Sequence, residues 1–134
     1  GVVYYYAVIT FPAAGGCNSI TSNFATVTVT PDPSISVQPL AADTICVGGG
    51  LAAPLAVTPV GGTGAVSYQW TGPSGNIAGA TSSTYSPPTF DTPGTYNFTV
   101  TVSYAGSGCD AVTSAPATVT VIPDPTVSAP APGT

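Results

Sequence analysis

Lysine, arginine, histidine, glutamate and methionine are all absent from this chain. Formal side-chain charge is confined to Asp32, Asp43, Asp91, Asp110 and Asp124, so that charged residues are 4% of the sequence and the net charge is −5. An ordinary soluble domain carries about a quarter charged residues. Each absence excludes something. Without lysine or arginine no group neutralises phosphate, which excludes a nucleic-acid partner and disfavours an anionic membrane surface. Without histidine or lysine the three cysteines have no base to activate a nucleophile, and a zinc site lacks both imidazole and sufficient thiolates. No apolar run approaches the ~18 residues of a membrane span. No secretory leader is visible, so for an exported protein it is expected outside this stretch. No stretch free of glycine and proline has a 3.6-residue period, so no long helix is expected.

What is present favours strands. The hydrophobic fraction is 43%, supplied largely by Val, Ala, Ile and Tyr among many Thr, with 15 Pro and 16 Gly as punctuation. β-branched and aromatic residues fit a pleated, half-buried surface. A length of 134 residues allows one modest core and a fraction of a second.

The chain also repeats itself. At an offset of 92 residues, Gly16-Cys17 falls on Gly108-Cys109, Tyr4 on Tyr96, and residues 25–33 (ATVTVTPDP) on 117–125 (ATVTVIPDP). Sixteen of the 42 overlaid positions are identical. A bias towards Thr and Val does not by itself align Gly-Cys and Pro-Asp-Pro at one offset, so this is a tandem repeat. Residues 1–33 are expected to be the closing strand hairpin of a preceding repeat. Residues 34–125 are read as one complete repeat with its linker, and 126–134 as the start of the following one. The joints are Pro31-Asp32-Pro33 and Pro123-Asp124-Pro125. Two prolines fix φ and extend the residue before each, which makes a short stiff connection.

Within the repeat, strands are expected at 34–38, near 51–58, at 65–72, at Ile77 as a short edge strand, at 83–88 as a further edge strand, at 94–104 and at 111–122. The stretch with Asp43-Thr44-Ile45-Cys46 reads as irregular, and Gly61-Gly62-Thr63-Gly64 and Gly72-Pro73-Ser74-Gly75 read as turns. The clearest alternation is at 94–104. Tyr96, Phe98, Val100 and Val102 face one way, and Asn97, Thr99, Thr101 and Ser103 the other. Pro116 predicts a bulge or an edge position in the last strand. Seven short strands at this spacing predict an all-β antiparallel sandwich.

Pro93-Gly94-Thr95-Tyr96 opening a long Thr/Val strand, after Tyr68-Gln69-Trp70 and a Gly-rich turn, resembles the immunoglobulin-like superfamily, particularly its PKD-like modules, over roughly residues 34–122. That resemblance implies Trp70 in the core, with Tyr96 at a corner between the sheets beside Phe98 and Val100. Ile45-Cys46-Val47-Gly48-Gly49, Tyr68-Gln69-Trp70, Gly94-Thr95-Tyr96 and Gly108-Cys109, in that order, also resemble the repeats of giant cell-surface proteins of Bacteroidota, including gliding adhesins of the SprB type. The lack of Lys, Arg and Glu departs from that pattern and suggests a specialised filament. The resemblance implies an extracellular, cell-surface location and a structural or adhesive role without catalysis or cofactor.

Several residues are candidates for more specific roles. A Cys46–Cys109 disulfide closing a loop of about 60 residues would contribute on the order of 4 kcal/mol; Cys17 is then unpaired or paired upstream. Cys17–Cys46 is the rival pairing. Asp91 and Asp110 flank the long strand and are the candidate carboxylate pair for glycosidic acid/base chemistry; the plainer reading is that both are turn residues. Calcium at the joints, through Asp32 or Asp124, is short of the six to eight oxygens it takes, and no metal site is assigned. Asp43-Thr44-Ile45 resembles the O-glycan acceptor of Bacteroidota, which makes Thr44 a glycan candidate in an expected loop. Asn97-Phe98-Thr99 fits the N-glycan pattern, which is usually idle in bacterial proteins. The expected partners are adjacent copies of the same repeat, end to end, with a glycan or surface ligand as a further candidate and no membrane insertion. The alternative function is a carbohydrate-binding or accessory module of a secreted protein.

Overall fold

The computed structural model describes residues 1–12, 16, 18–106 and 108–128. They form two compact units, Gly1–Pro31 and a larger one from Asp32 onward. Every regular element among them is a strand.

The first unit is a hairpin. β1 (Val2–Tyr5) and β2 (Val8–Ile9) run out, and β3 (Ile20–Thr21) and β4 (Ala25–Thr28) return. β1 pairs β4 from Val2↔Thr28 to Tyr5↔Ala25, and β2 pairs β3 through Val8↔Thr21 and Ile9↔Ile20. Among the described residues no second layer within the unit covers it, and its aromatics stay exposed, Tyr4 at 63% and Phe24 at 68%. Paired residues in an antiparallel ladder share a face. Tyr4, Tyr6 and Phe24 therefore cluster on one side, with edge-on ring contacts at 6.3 and 5.6 Å, while Ala25 and Val27 lie on the other with Val3 and Tyr5.

The second unit is built from ten short segments in two layers. In chain order they are β5 (Ser34–Val37), β6 (Ala42–Cys46), β7 (Leu55–Ala56), β8 (Thr58–Val60), β9 (Val66–Gly72), β10 (Gly75–Asn76), β11 (Thr84–Tyr85), β12 (Gly94–Tyr104), β13 (Val112–Thr113) and β14 (Ala117–Ile122). One layer has the order β10-β9-β12-β14-β6, with β13 also on β12. The other consists of β5 on β8 and β11 on β7. All pairings are antiparallel except that of β6 with β14.

The core follows from the two-residue period of β12. Phe98, Val100 and Val102 are buried and the residues between them are not. Trp70 from β9 and Ala117, Val119 and Val121 from β14 complete this inner face, and Leu55, Val57, Ala80 and Phe90 close it from the other side. Trp70 is fully buried, its ring 5.8 Å from that of Tyr85 and its Nε1–H donating to the Ser82 carbonyl at 2.9 Å.

Pro116 interrupts the last strand, leaving β13 and β14 separated by Ser114-Ala115-Pro116. Ser114 bridges the gap: its amide donates to the Val100 carbonyl at 2.9 Å, and its hydroxyl accepts the Val100 amide at 3.0 Å. The hairpin of the first unit uses the same device. Ser22, at the repeat position of Ser114, donates its amide to the Ala7 carbonyl at 2.8 Å and accepts the Ala7 amide on its hydroxyl at 2.9 Å. The registers nevertheless differ. Tyr96 pairs Val119, whereas Tyr4 pairs Thr26, one residue short of Val27, the repeat equivalent of Val119. A slip of one residue turns a strand's side chains to the opposite face, and register is firmly set only where one face is buried. Residues 1–33 carry Tyr4, Tyr6, Val8, Phe24, Val27 and Val29 as the apolar residues expected of a single face, and this register divides them, with Tyr4, Tyr6 and Phe24 on one side and Val27 on the other.

The stretch through Asp43 and Cys46, expected to be irregular, is the edge strand β6, parallel to β14 in the register Ala42↔Thr118 to Cys46↔Ile122. The Asp43 carboxylate accepts the Thr44 amide at 2.9 Å, and so occupies a donor on the strand that ends the layer. Charge at an edge discourages further pairing.

Candidate functional site

The two cysteines and the hydrogen-bonded turns lie at the two ends of the second unit. β12 spans it from Gly94, beside Val121, to Tyr104, beside Val66. At the Tyr104 end, the glycine turn after β8 interlocks with the loop after β12. The Gly106 amide donates to the Thr63 carbonyl at 2.8 Å, and the Ala105 amide to Ala65 at 3.0 Å. Gly62 has φ +68° and lies against the Tyr104 ring, a conformation and an approach that favour glycine. Cys109 belongs to this end, its Sγ 3.5 Å from Thr63 Oγ1. The chain also enters here, because Ser34, the first residue of β5, pairs Val60.

At the opposite end β14 leaves the sheet at Ile122, and Cys46 is its neighbour in β6. The Val47 amide donates to the Ile122 carbonyl at 3.1 Å, and Gly48 and Gly49 exchange hydrogen bonds with Phe90 at 2.7 and 3.0 Å. Cys46 and Cys109 are free, the first exposed and the second half-buried. The expected Cys46–Cys109 clasp within one repeat is therefore corrected. The cysteines are separated by the length of β12, about 30 Å at ~3.3 Å per residue, whereas a disulfide requires Cα atoms within about 7 Å. Cys17 lies outside the described residues.

The carboxylates are dispersed in the same way. Asp91 follows Phe90 near the Gly94 end, and Asp110 follows Cys109 at the Tyr104 end, so the long strand separates the pair considered for acid/base chemistry. Among the described residues no three of Cys and Asp gather as metal ligands would. Thr44 is exposed, on the edge strand β6 rather than in a loop. Asn97 is exposed, and its side-chain carbonyl accepts the Thr118 hydroxyl at 2.9 Å.

Tyr96 is half-buried, with its ring 4.9 Å from Phe90 and its hydroxyl donating to the Thr92 carbonyl at 2.9 Å. This bond ties the loop before β12 back onto the strand. Beside it an open groove of about 530 Å³ runs past Pro73, Ile77, Tyr85, Phe90 and Asp91. Phe90 and Phe98 turn their rings into the core and Tyr85 and Tyr96 are half-buried, so the groove offers little free aromatic face for stacking.

Residues 37–123 match the family described as "Domain of unknown function (DUF8696)". The chain belongs to that family. The match begins in β5 and ends one residue past β14, and so lies within residues 34–125. No curated protein matches the sequence. The interlocked turns, Trp70, Tyr96 and both free cysteines all lie inside the DUF8696 domain. Sequence reasoning missed the opposed placement of the cysteines, because their positions depend on the direction of β6, which pairs with a strand some 75 residues away.

Proposed function

We propose that this chain is a structural repeat of an extracellular cell-surface filament or adhesin, an immunoglobulin-like sandwich joined end to end to further copies of itself and without catalytic activity. The observation that carries this reading is the 92-residue repeat taken together with the path of the chain, which enters the sandwich at one end and leaves at the other. A domain with that polarity, joined by three-residue Pro-Asp-Pro connections, stacks along its own strands. The strand order supports the immunoglobulin-like assignment: a first strand divided between the two layers as β5 and β6, and Trp70 opposite the long strand β12. With no basic side chain, contacts between copies rest on apolar burial, backbone hydrogen bonds and hydroxyls. The reading as a carbohydrate-binding module is less well supported, because of the rings beside the groove Phe90 and Phe98 are buried and Tyr85 and Tyr96 half-buried.

Small-angle X-ray scattering of polypeptides with one, two and four copies of residues 34–125 tests this. The maximum dimension is expected to rise by about 40 Å per copy, roughly one long strand plus a joint at ~3.3 Å per residue. It is also expected to stay unchanged between about 0.1 and 1 M salt, since no opposite charges are present to be screened. A dimension that fails to grow with copy number contradicts the reading.

A further inference from the structure

We infer that Cys46 of one repeat forms a disulfide with the Cys109-position cysteine of the repeat that follows, so that an exported array is covalently stapled across its joints. The inference rests on the end-to-end reading above. Three observations carry it beyond that reading.

The first is that each cysteine adjoins a joint, on opposite sides. Cys46 pairs Ile122, the residue immediately before Pro123-Asp124-Pro125. Cys109 contacts Thr63, three residues along the chain from Val60, which pairs Ser34, and Ser34 immediately follows the joint Pro31-Asp32-Pro33. A copy entering through the same joint therefore presents its Cys109 end to the Cys46 end of its predecessor. The second is reach. Ile122 and Thr126, the repeat equivalent of Ser34, are four residues apart, at most about 14 Å of extended chain. Two end faces held that closely, each with a thiol beside the tether, bring the sulfurs together at an effective concentration on the order of millimolar. The third is availability. Both thiols are free within the repeat, Cys46 is exposed, and the strand geometry prevents them from pairing with each other in one copy. Cys17 holds the same repeat position as Cys109, so the entry-side cysteine recurs from one repeat to the next.

The chemistry requires an oxidant, taken here as a low-molecular-weight disulfide. The Cys46 thiolate attacks one of its sulfurs and expels a thiolate, leaving a mixed disulfide. The thiolate of the next copy's Cys109 then attacks the Cys46 sulfur and expels the second thiolate. The two protons lost by the cysteines are taken up by the two leaving thiolates, and the small disulfide is reduced by the two electrons that the cysteines give up.

The test extends the full chain by one period, so that residues 34–134 follow residue 125. In one variant every cysteine is changed to serine except Cys46 of the first repeat and Cys109 of the second. In a control only Cys46 and Cys109 of the first repeat are kept. Both are incubated with oxidised glutathione. The cross-repeat variant is expected to lose both thiols, to become lighter by two hydrogens and to yield one cross-linked peptide after non-reducing digestion. The control is expected to keep its repeat uncross-linked. Trp70 emission reports folding in both, and scattering reports length. An extended, folded molecule whose cross-repeat thiols do not join overturns the staple and leaves the end-to-end reading intact. A molecule with no extended shape and no cross-link overturns both. Equal cross-linking in the control overturns the assignment of partners.

Discussion

Replacing Trp70 with alanine is expected to destabilise the second unit by about 3–5 kcal/mol, the range for truncating a buried aromatic. Trp70 is the largest fully buried side chain, and it links three parts of the fold. Its ring meets Tyr85 of the opposite layer. Its Nε1–H satisfies the Ser82 carbonyl, and its backbone amide and carbonyl bond Ala80 and Ile77 at 3.0 and 2.9 Å. Alanine leaves a cavity and orphans the Ser82 carbonyl, while the backbone bonds to Ala80 and Ile77 and the Gln69 and Val57 bonds to the loop 77–83 remain. Total stability of a domain is about 5–15 kcal/mol, so the change removes a large share of it. Urea denaturation of the chain followed by circular dichroism measures the difference. A loss below about 1 kcal/mol contradicts the placement of Trp70 between the layers.

The second large effect is expected at Gly106. A methyl group there would overlap the Thr63 hydroxyl and sit 2.5 Å from the Thr63 carbonyl oxygen and 2.9 Å from its carbon. Those carbonyl atoms are backbone, fixed in turn by the hydrogen bond that Gly106 donates, so the contact is not relieved by rotating a side chain. Overpacking commonly costs 1–3 kcal/mol, and Gly106→Ala is expected at the upper end, about 3 kcal/mol. Gly50→Ala is the matched control, because a Cβ there meets nothing within 4 Å, and it is expected to stay within about 0.5 kcal/mol. Equal stability of the two variants in the same denaturation experiment contradicts the interlocked turns at the Cys109 end.

The parts of this fold that could be read in advance are those with a local signal. The alternation Tyr96, Phe98, Val100, Val102 marked the long strand with the bounds the structure has, and Pro116 marked the break in the last one. The expected strand near 51–58 lies slightly later, at Leu55–Val60, divided around Val57. What could not be read depends on direction and distance. β6 carries an aspartate and pairs in parallel with a strand far along the chain, so nothing local distinguishes it from a loop. Loop-closure arithmetic joined Cys46 to Cys109 because it counts intervening residues and takes no account of which end of a sheet each occupies. The hairpin register is a different case: Ser22 reproduces the Ser114 bridge, but without a covering layer nothing forces Tyr4 opposite Val27.

That hairpin also bears most directly on the account as a whole. The proposed array requires residues 1–33 to be the closing strands of a sandwich whose other strands come from a copy of the 34–92 region. Electron cryomicroscopy of the intact filament, with the contacts of residues 1–33 traced, is the decisive measurement. The expected result is a hairpin covered by the 34–92 region of the preceding copy, with Tyr4 opposite Val27 in the register of Tyr96 and Val119, and Tyr4, Tyr6 and Val8 buried. A hairpin packed on the 34–122 sandwich of its own chain, giving a closed monomer without longitudinal contacts, would contradict it.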